Sequence, residues 1–373
     1  MFDAPAARTS RPFAKIDIPG LNALRGMAAV YVAATHVVLA LNPPALVGLP
    51  FRFGQEAVII FFLMSGAVIY LATQNRPGQS FGTYFEHRFR RIYFPFATAL
   101  IVSAIVAAAT GALVDQFSFG QLLGNLAMLQ DDGSTKPGTW IGTFLGDLPL
   151  WSLSYEWWFY LLFWPTYRWV PRQHQLPAVT LVSLLAWLAY LAHPNHILLV
   201  ASYAVIWWAG LELARVWVED GALTWRRCGK PLACLTAMSI AAAIPIVLEG
   251  PRGFGLYPVL TFRHFATGTV FAVMTVAWSK LGWIGFRVTI GPFAPIAPIS
   301  YAIYVLHYPI LVRWGVASGK WWVLLGLCLP VLLLAAYLVE VVGQRQFNRL
   351  VARVFHSRTV PEVHPVGHGH INS

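Results

Sequence analysis

The sequence predicts an all-α fold: a polytopic transmembrane bundle of about ten helices with both termini in the cytoplasm. Three observations predict it. Of 373 residues, 57% are hydrophobic and only 11% charged, whereas an ordinary soluble domain carries roughly a quarter charged residues. Mean hydropathy is +0.60. The apolar residues also gather into runs of about 20, the length that crosses a hydrocarbon core about 30 Å thick.

The runs fall at roughly 21–41, 57–75, 92–113, 151–170, 177–193, 197–217, 232–248, 264–280, 295–316 and 322–342. Only His193-Pro194-Asn195-His196 separates the fifth from the sixth. Two short spans joined by a tight turn are expected there, because Pro194 interrupts a helix interior by removing a donor and clashing with the preceding turn. The chain divides into a cytoplasmic segment (1–20), a transmembrane domain (21–342) and a basic, His-containing cytoplasmic tail (343–373). The apolar run after Arg8, Arg11 and Lys15 lacks a small-x-small cleavage site and reads as a retained first span. No internal repeat is visible.

The net charge of +11 does not imply nucleic acid, because the basic residues sit in short segments between apolar runs. With the N-terminus inside, nineteen of the 26 Lys and Arg fall on inner segments and six on outer ones, with Arg25 inside the first run. That asymmetry is the positive-inside pattern. Cys228, Cys234 and Cys328 form no CxxC pair, so neither a disulfide framework nor a zinc site is indicated. No HxxxH or close acidic cluster falls within a span, so no metal is expected. The longest outer segment, about 114–150, carries Asp115, Asp131, Asp132 and Asp147 against Lys136, and its DDGSTKPG stretch reads as a turn-rich loop. The tail's His364, His368 and His370 read as a plain polar, disordered end.

Ionisable residues within spans are costly and need a partner or a purpose. Here they are Arg25, His36, Glu156, Glu212, His307 and Glu340. Arg25 and His36 are eleven residues apart, which places them on one helix face about 16 Å apart along the axis. Arg25 then lies near the cytoplasmic end and His36 in the outer half. Counting rise from Trp151 puts Glu156 at a similar depth to His36, with His307 somewhat deeper. Two imidazoles and a carboxylate are thus expected to converge toward the outer leaflet, a constellation suited to taking a proton from a hydroxyl. Arg25, Arg88, Arg90 and Arg91 gather at the cytoplasmic face and suit a phosphorylated donor.

Five motifs carry a resemblance: IPGLNALRGMAAVYVAATH (18–36), FFLMSGAVI (61–69), RFRRIYFPF (88–96), LWSLSYEWWFYLL (150–162) and ISYAIYVLHYPIL (299–311). In this order the chain resembles the integral-membrane acyltransferase-3 family over about 18–342. The resemblance implies transfer of an acyl group, usually acetyl, from cytoplasmic acyl-coenzyme A to a hydroxyl of a surface or exported glycan or glycolipid. It implies a bacterial inner membrane and no permanently bound cofactor. Arg25 and His36 match its Arg-x10-His element, with His36 the expected catalytic residue. Arg88 and Arg91 match the basic donor-binding motif, Glu156 the acid of WSLSxE, and His307 the late histidine. Phe62, Ser65 and Gly66 match its second-helix motif, where small residues admit a close helix or an acyl chain. Asn22 departs from the pattern, standing where the family often carries Asp.

His36 is expected either to deprotonate the acceptor, with Glu156 polarising its imidazole, or to carry the acyl group itself. A proton-coupled transporter and an assembly scaffold are the other classes that buried His and Glu allow. The acceptor, the acyl length and the oligomeric state are left open by the sequence.

Overall fold

A computed structural model describes residues 18–76 and 78–356. Arg8, Arg11, Lys15, Arg358 and the tail histidines lie outside the described residues. Ten long helical stretches run through the described residues. They are α1 (Ile18–Ala40), α2 (Gly54–Gln74), α3 (Phe81–Ala109), α4 (Trp151–Trp169), α5 (Arg172–Ala192), α6 (His196–Asp220), α7 (Trp225–Glu249), α8 (Val259–Lys280), α9 (Gly291–Ser318) and α10 (Trp321–Val351).

Among the described residues nine helical stretches are long and apolar enough to cross a membrane, and α4 is not one of them. Its sequence, WSLSYEWWFYLLFWPTYRW, is aromatic and polar rather than aliphatic. The reason is its surroundings. Trp151 through Tyr155 are buried within the protein, so the helix start packs against protein instead of presenting aliphatic side chains to lipid.

Local chemistry explains the helix limits. Asn195 caps α6 by accepting from Leu198 N at 3.0 Å, and Gly221 ends it in the left-handed region at φ 71°. The expected break between α5 and α6 is therefore real. Ser80 caps α3 by accepting from Thr83 N at 3.2 Å, so that helix starts eleven residues before position 92. Arg88, Arg90 and Arg91 consequently lie on it, not ahead of it. The opening of α9, Gly291–Ile299, carries Pro292, Pro295 and Pro298 and winds as a 3-10 helix. Regular α-helix follows over Ser300–His307, and wider π-turns over Tyr308–Gly315.

The core sits around α6, whose residues 202–211 are buried without interruption. Its crossing with α2 is close. A methyl at Gly66 would lie 1.9 Å from the Trp207 carbonyl oxygen, and one at Gly210 would lie 1.9 Å from that of Leu63. Small residues permit this backbone approach, as membrane helix pairs require. At Gly66 the close neighbour is therefore a helix.

The 110–150 segment departs from the all-α expectation only by a two-residue parallel pair, β1 (Gln130–Asp131) with β2 (Ile141–Gly142). It departs more in placement. Asp131, Asp132 and Lys136 are all buried while Gly133, Ser134 and Pro137 are exposed, so the turn-rich stretch plugs its charged side chains into the protein and keeps its backbone turn at the surface.

Candidate active site

Two polar assemblies stand out in the bundle, and the first is a histidine pair. The α1 and α9 helices bring His36 Nδ1 to 3.0 Å from His307 Nε2. His307 is fully buried, and its Nδ1 lies 2.7 Å from the carbonyl oxygen of Tyr304. A carbonyl can only accept, so His307 Nδ1 carries the hydrogen, which leaves Nε2 of a neutral ring as an acceptor. His36 Nδ1 then donates to it, and His36 Nε2 is left with a free lone pair. The network thus sets the tautomer in which His36 presents a base. Tyr308 stands edge-on to His36 at 5.4 Å.

The second is a cavity of about 130 Å³ whose lining includes Arg25, Arg88, Arg91, Ser65, Glu156 and Tyr160. Helical spacing puts Arg88 and Arg91 on one face of α3, while Arg90 is turned away into an ion pair with Glu86. Arg25 Nη2 donates to Ala297 O at 3.2 Å and, at 3.4 Å, to Asn22 Oδ1. The Asn at position 22 therefore still contacts the guanidinium, without adding charge. Arg88 lies over the Tyr84 and Tyr160 rings at 5.8 and 5.9 Å. Among the described residues neither Arg25 nor Arg88 has a carboxylate within ion-pairing distance, and each keeps a buried Nε with no hydrogen-bond partner. Arg91 differs, being paired with Glu340 at 2.5 Å.

Glu156 belongs to this cavity and is not bonded to the histidines. Its Oε1 accepts from Ser65 Oγ at 2.8 Å and from Tyr160 Oη, and Trp207 Nε1 donates to Ser65 Oγ at 3.2 Å. The expected contact between this carboxylate and an imidazole is thus replaced by a hydroxyl network. The cause lies in the depth count, which takes Trp151 as the membrane surface although residues 130–150 fold over it. Tyr304 sits between the histidine pair and the cavity. Its hydroxyl meets Ser152 Oγ at 2.7 Å, its backbone oxygen holds His307, and its side chain lines the cavity.

Over these lies the plug. Lys136 Nζ is 2.5 Å from Asp131 Oδ1 and 3.6 Å above the Trp151 ring. Tyr155 Oη donates to Asp131 Oδ2 at 2.6 Å, and His196 Nδ1 approaches the same oxygen at 3.4 Å. Burial pushes the Asp131 carboxyl up, but the Lys136 ammonium and His196 overcome that and hold it below the usual carboxylate range. Asp147 is the opposite case. Burial pushes it up to about 8, against Ser103, whose hydroxyl donates to it at 3.0 Å, and against the nearby Arg313 charge.

A family model described as an acyltransferase domain, that of the acyltransferase-3 family, matches residues 18–341. The chain belongs to the acyltransferase-3 family. Comparison with curated proteins and with solved structures finds no match. Its apolar helices and its family make it a multi-pass membrane acyltransferase. All six site residues expected of this acyltransferase lie on helices of the matched region: Arg25, Arg88, Arg91 and Glu156 around one cavity, His36 and His307 in one pair.

Sequence reasoning missed Tyr160, Tyr304 and Ser152 as site components. The signal was present, because Ser152, Glu156 and Tyr160 recur at intervals of four and so share a face of α4. The plug had no such signal, since its partners Tyr155, His196 and Trp151 come from distant segments.

Proposed function

We propose that this acyltransferase moves an acyl group, in the first instance acetyl, from cytoplasmic acyl-coenzyme A to a hydroxyl of a surface or exported glycan or glycolipid. The observation that carries the reading is the pair of arginines, Arg25 and Arg88, which face the cavity with no carboxylate among the described residues in ion-pairing distance of either, Glu156 being held by Ser65 and Tyr160 instead. Buried cations without partners are unstable unless an anion joins them, and guanidinium groups bind phosphate bidentately. The donor's phosphates dock on Arg25, Arg88 and Arg91, and its pantetheine arm passes Glu156, Ser65 and Tyr160. The Glu156 carboxylate is an acceptor for the amide hydrogens of that arm.

His36 Nε2 then removes the proton from the acceptor hydroxyl as its oxygen attacks the thioester carbonyl. Collapse of the tetrahedral intermediate breaks the carbon–sulfur bond and forms the ester, and the imidazolium returns its proton to the departing thiolate. His307 keeps His36 in the required tautomer. Ten spans with both termini cytoplasmic, α4 counted among them, agree with the basic residues lying mostly on inner segments. In that orientation the donor-binding arginines open toward the cytoplasm. A bacterial inner membrane is the setting this topology and family suit.

The test uses membranes carrying wild type or His36→Ala at matched protein levels with radiolabelled acetyl-coenzyme A. Label release or transfer should fall by about 10²- to 10⁴-fold in the variant, as loss of a general base does. Equal turnover by the two proteins would remove His36 from the chemistry.

A further inference from the structure

Glu340 lies in α10, far in sequence from every site motif, yet its side chain is fully buried against the site. One carboxylate oxygen forms the ion pair with Arg91 Nη1 at 2.5 Å. The other accepts from the backbone N–H of Ala302 at 3.0 Å. Ala302 stands in the first turn of the α-helix Ser300–His307, where N–H groups lack intrahelical partners. The proline-rich 3-10 run before it supplies no side-chain cap. The Arg91 guanidinium also lies 5.4 Å over the ring of Tyr301, the preceding residue. His307 follows Ala302 by five residues, about 7.5 Å along the helix.

We infer that Glu340 is a positioning residue that couples the two halves of the site, holding Arg91 at the donor cavity and the start of the helix that carries His307 with the same carboxylate. The inference rests on the reading of that cavity as the acyl-coenzyme A site. Its charge also opposes the donor's. An anion entering beside Arg91 meets a carboxylate already there, so donor affinity is held below what three free arginines would give. Serving the Ala302 N–H and the Arg91 guanidinium together takes an oxygen on each side of the carboxylate. Glutamine offers one acceptor and one NH₂ group, so it cannot satisfy both.

Glu340→Gln should therefore shift the two kinetic constants in the same numerical direction for different reasons. Removing the opposing charge lowers the KM for acetyl-coenzyme A about five-fold at low salt, and this gain shrinks as salt is added. Loosening the helix start lowers kcat about ten-fold, because small misplacement of catalytic groups is costly. Glu340→Asp keeps the charge and both acceptors on a shorter stem, so its KM stays near that of wild type while kcat falls.

The measurement is acetyl-coenzyme A turnover by purified wild type, Glu340→Gln and Glu340→Asp, normalised to folded protein, at two salt concentrations. Coenzyme A binding to each is read separately by thermal shift. A lowered KM with a lowered kcat in the glutamine variant, and KM near wild type in the aspartate variant, supports the inference. A KM unchanged or raised in Glu340→Gln, with wild type active, overturns it and leaves the donor reading standing. Wild type that neither binds coenzyme A nor turns over its acetyl thioester overturns the donor reading, and this inference with it.

Discussion

The histidine pair shows how far one hydrogen bond can dictate chemistry. His307 donates from Nδ1 to the Tyr304 carbonyl oxygen, so its remaining nitrogen can only accept, and His36 is left with a bare Nε2. In the proposed reaction His307 is the orienting group, a role a side-chain amide can imitate in part because its oxygen also accepts. We expect His307→Gln to keep more activity than His307→Ala, the alanine variant losing about 10²-fold in kcat or more, with the KM for acyl-coenzyme A unchanged in both. Equal loss in the two variants would reduce His307 to a packing residue. Arg25, His36, Glu156 and His307 are legible in the sequence because ionisable groups inside apolar runs stand out. The partners of Glu156 are not. That carboxylate needs only hydroxyls, and Ser65 and Tyr160 look ordinary among apolar neighbours.

Helices are easier to read than their ends or their contacts. Apolar runs locate nearly every long helix, and the turn at Pro194 divides two of them as expected. The start of α3 is misplaced by the apolar run because Ser80 and the polar first turns belong to a helix that leaves the apolar zone, and helix length is not limited to hydrophobic length. The α4 helix falls where its run predicts, but its polarity only makes sense once residues 130–150 are known to fold over it. The α2–α6 crossing is a contact that composition cannot reveal, since glycines in two runs carry no sign that they face each other. At 1.9 Å from a carbonyl oxygen an added methyl forces the backbones apart. Gly66→Ala should destabilise the protein by about 1–3 kcal/mol, as overpacking does, measured as a lower midpoint of thermal unfolding in detergent. Gly229→Ala, where nothing lies within 4 Å of the added methyl, is the matching control and should be nearly neutral.

For the whole molecule, the distribution of Lys and Arg yields an expected orientation, and the family match spans most of the chain. Neither reveals the buried plug, because Asp131, Asp132 and Lys136 read as solvated turn residues until their partners are known. One member of that region also makes stability depend on pH. Asp147 sits near 8 in the folded protein against an ordinary value of 3.8. Its contribution is therefore fully present below pH 4 and is lost as pH rises to about 8, since the unfolded chain ionises first. Asp147→Asn cannot ionise. The unfolding midpoint of the variant, relative to wild type, should climb between pH 4 and 8 and then level off; a constant difference across that range would contradict the buried neutral acid. The plug carries a further consequence for how the chain is made. Asp131 meets His196, 65 positions later, and the Thr135 carbonyl oxygen accepts from the N–H of Tyr257. When residues 130–136 leave the ribosome, neither partner has been synthesised. This segment is thus made in the first half of translation but sealed only after Tyr257 has been made, so its closure runs out of step with its synthesis.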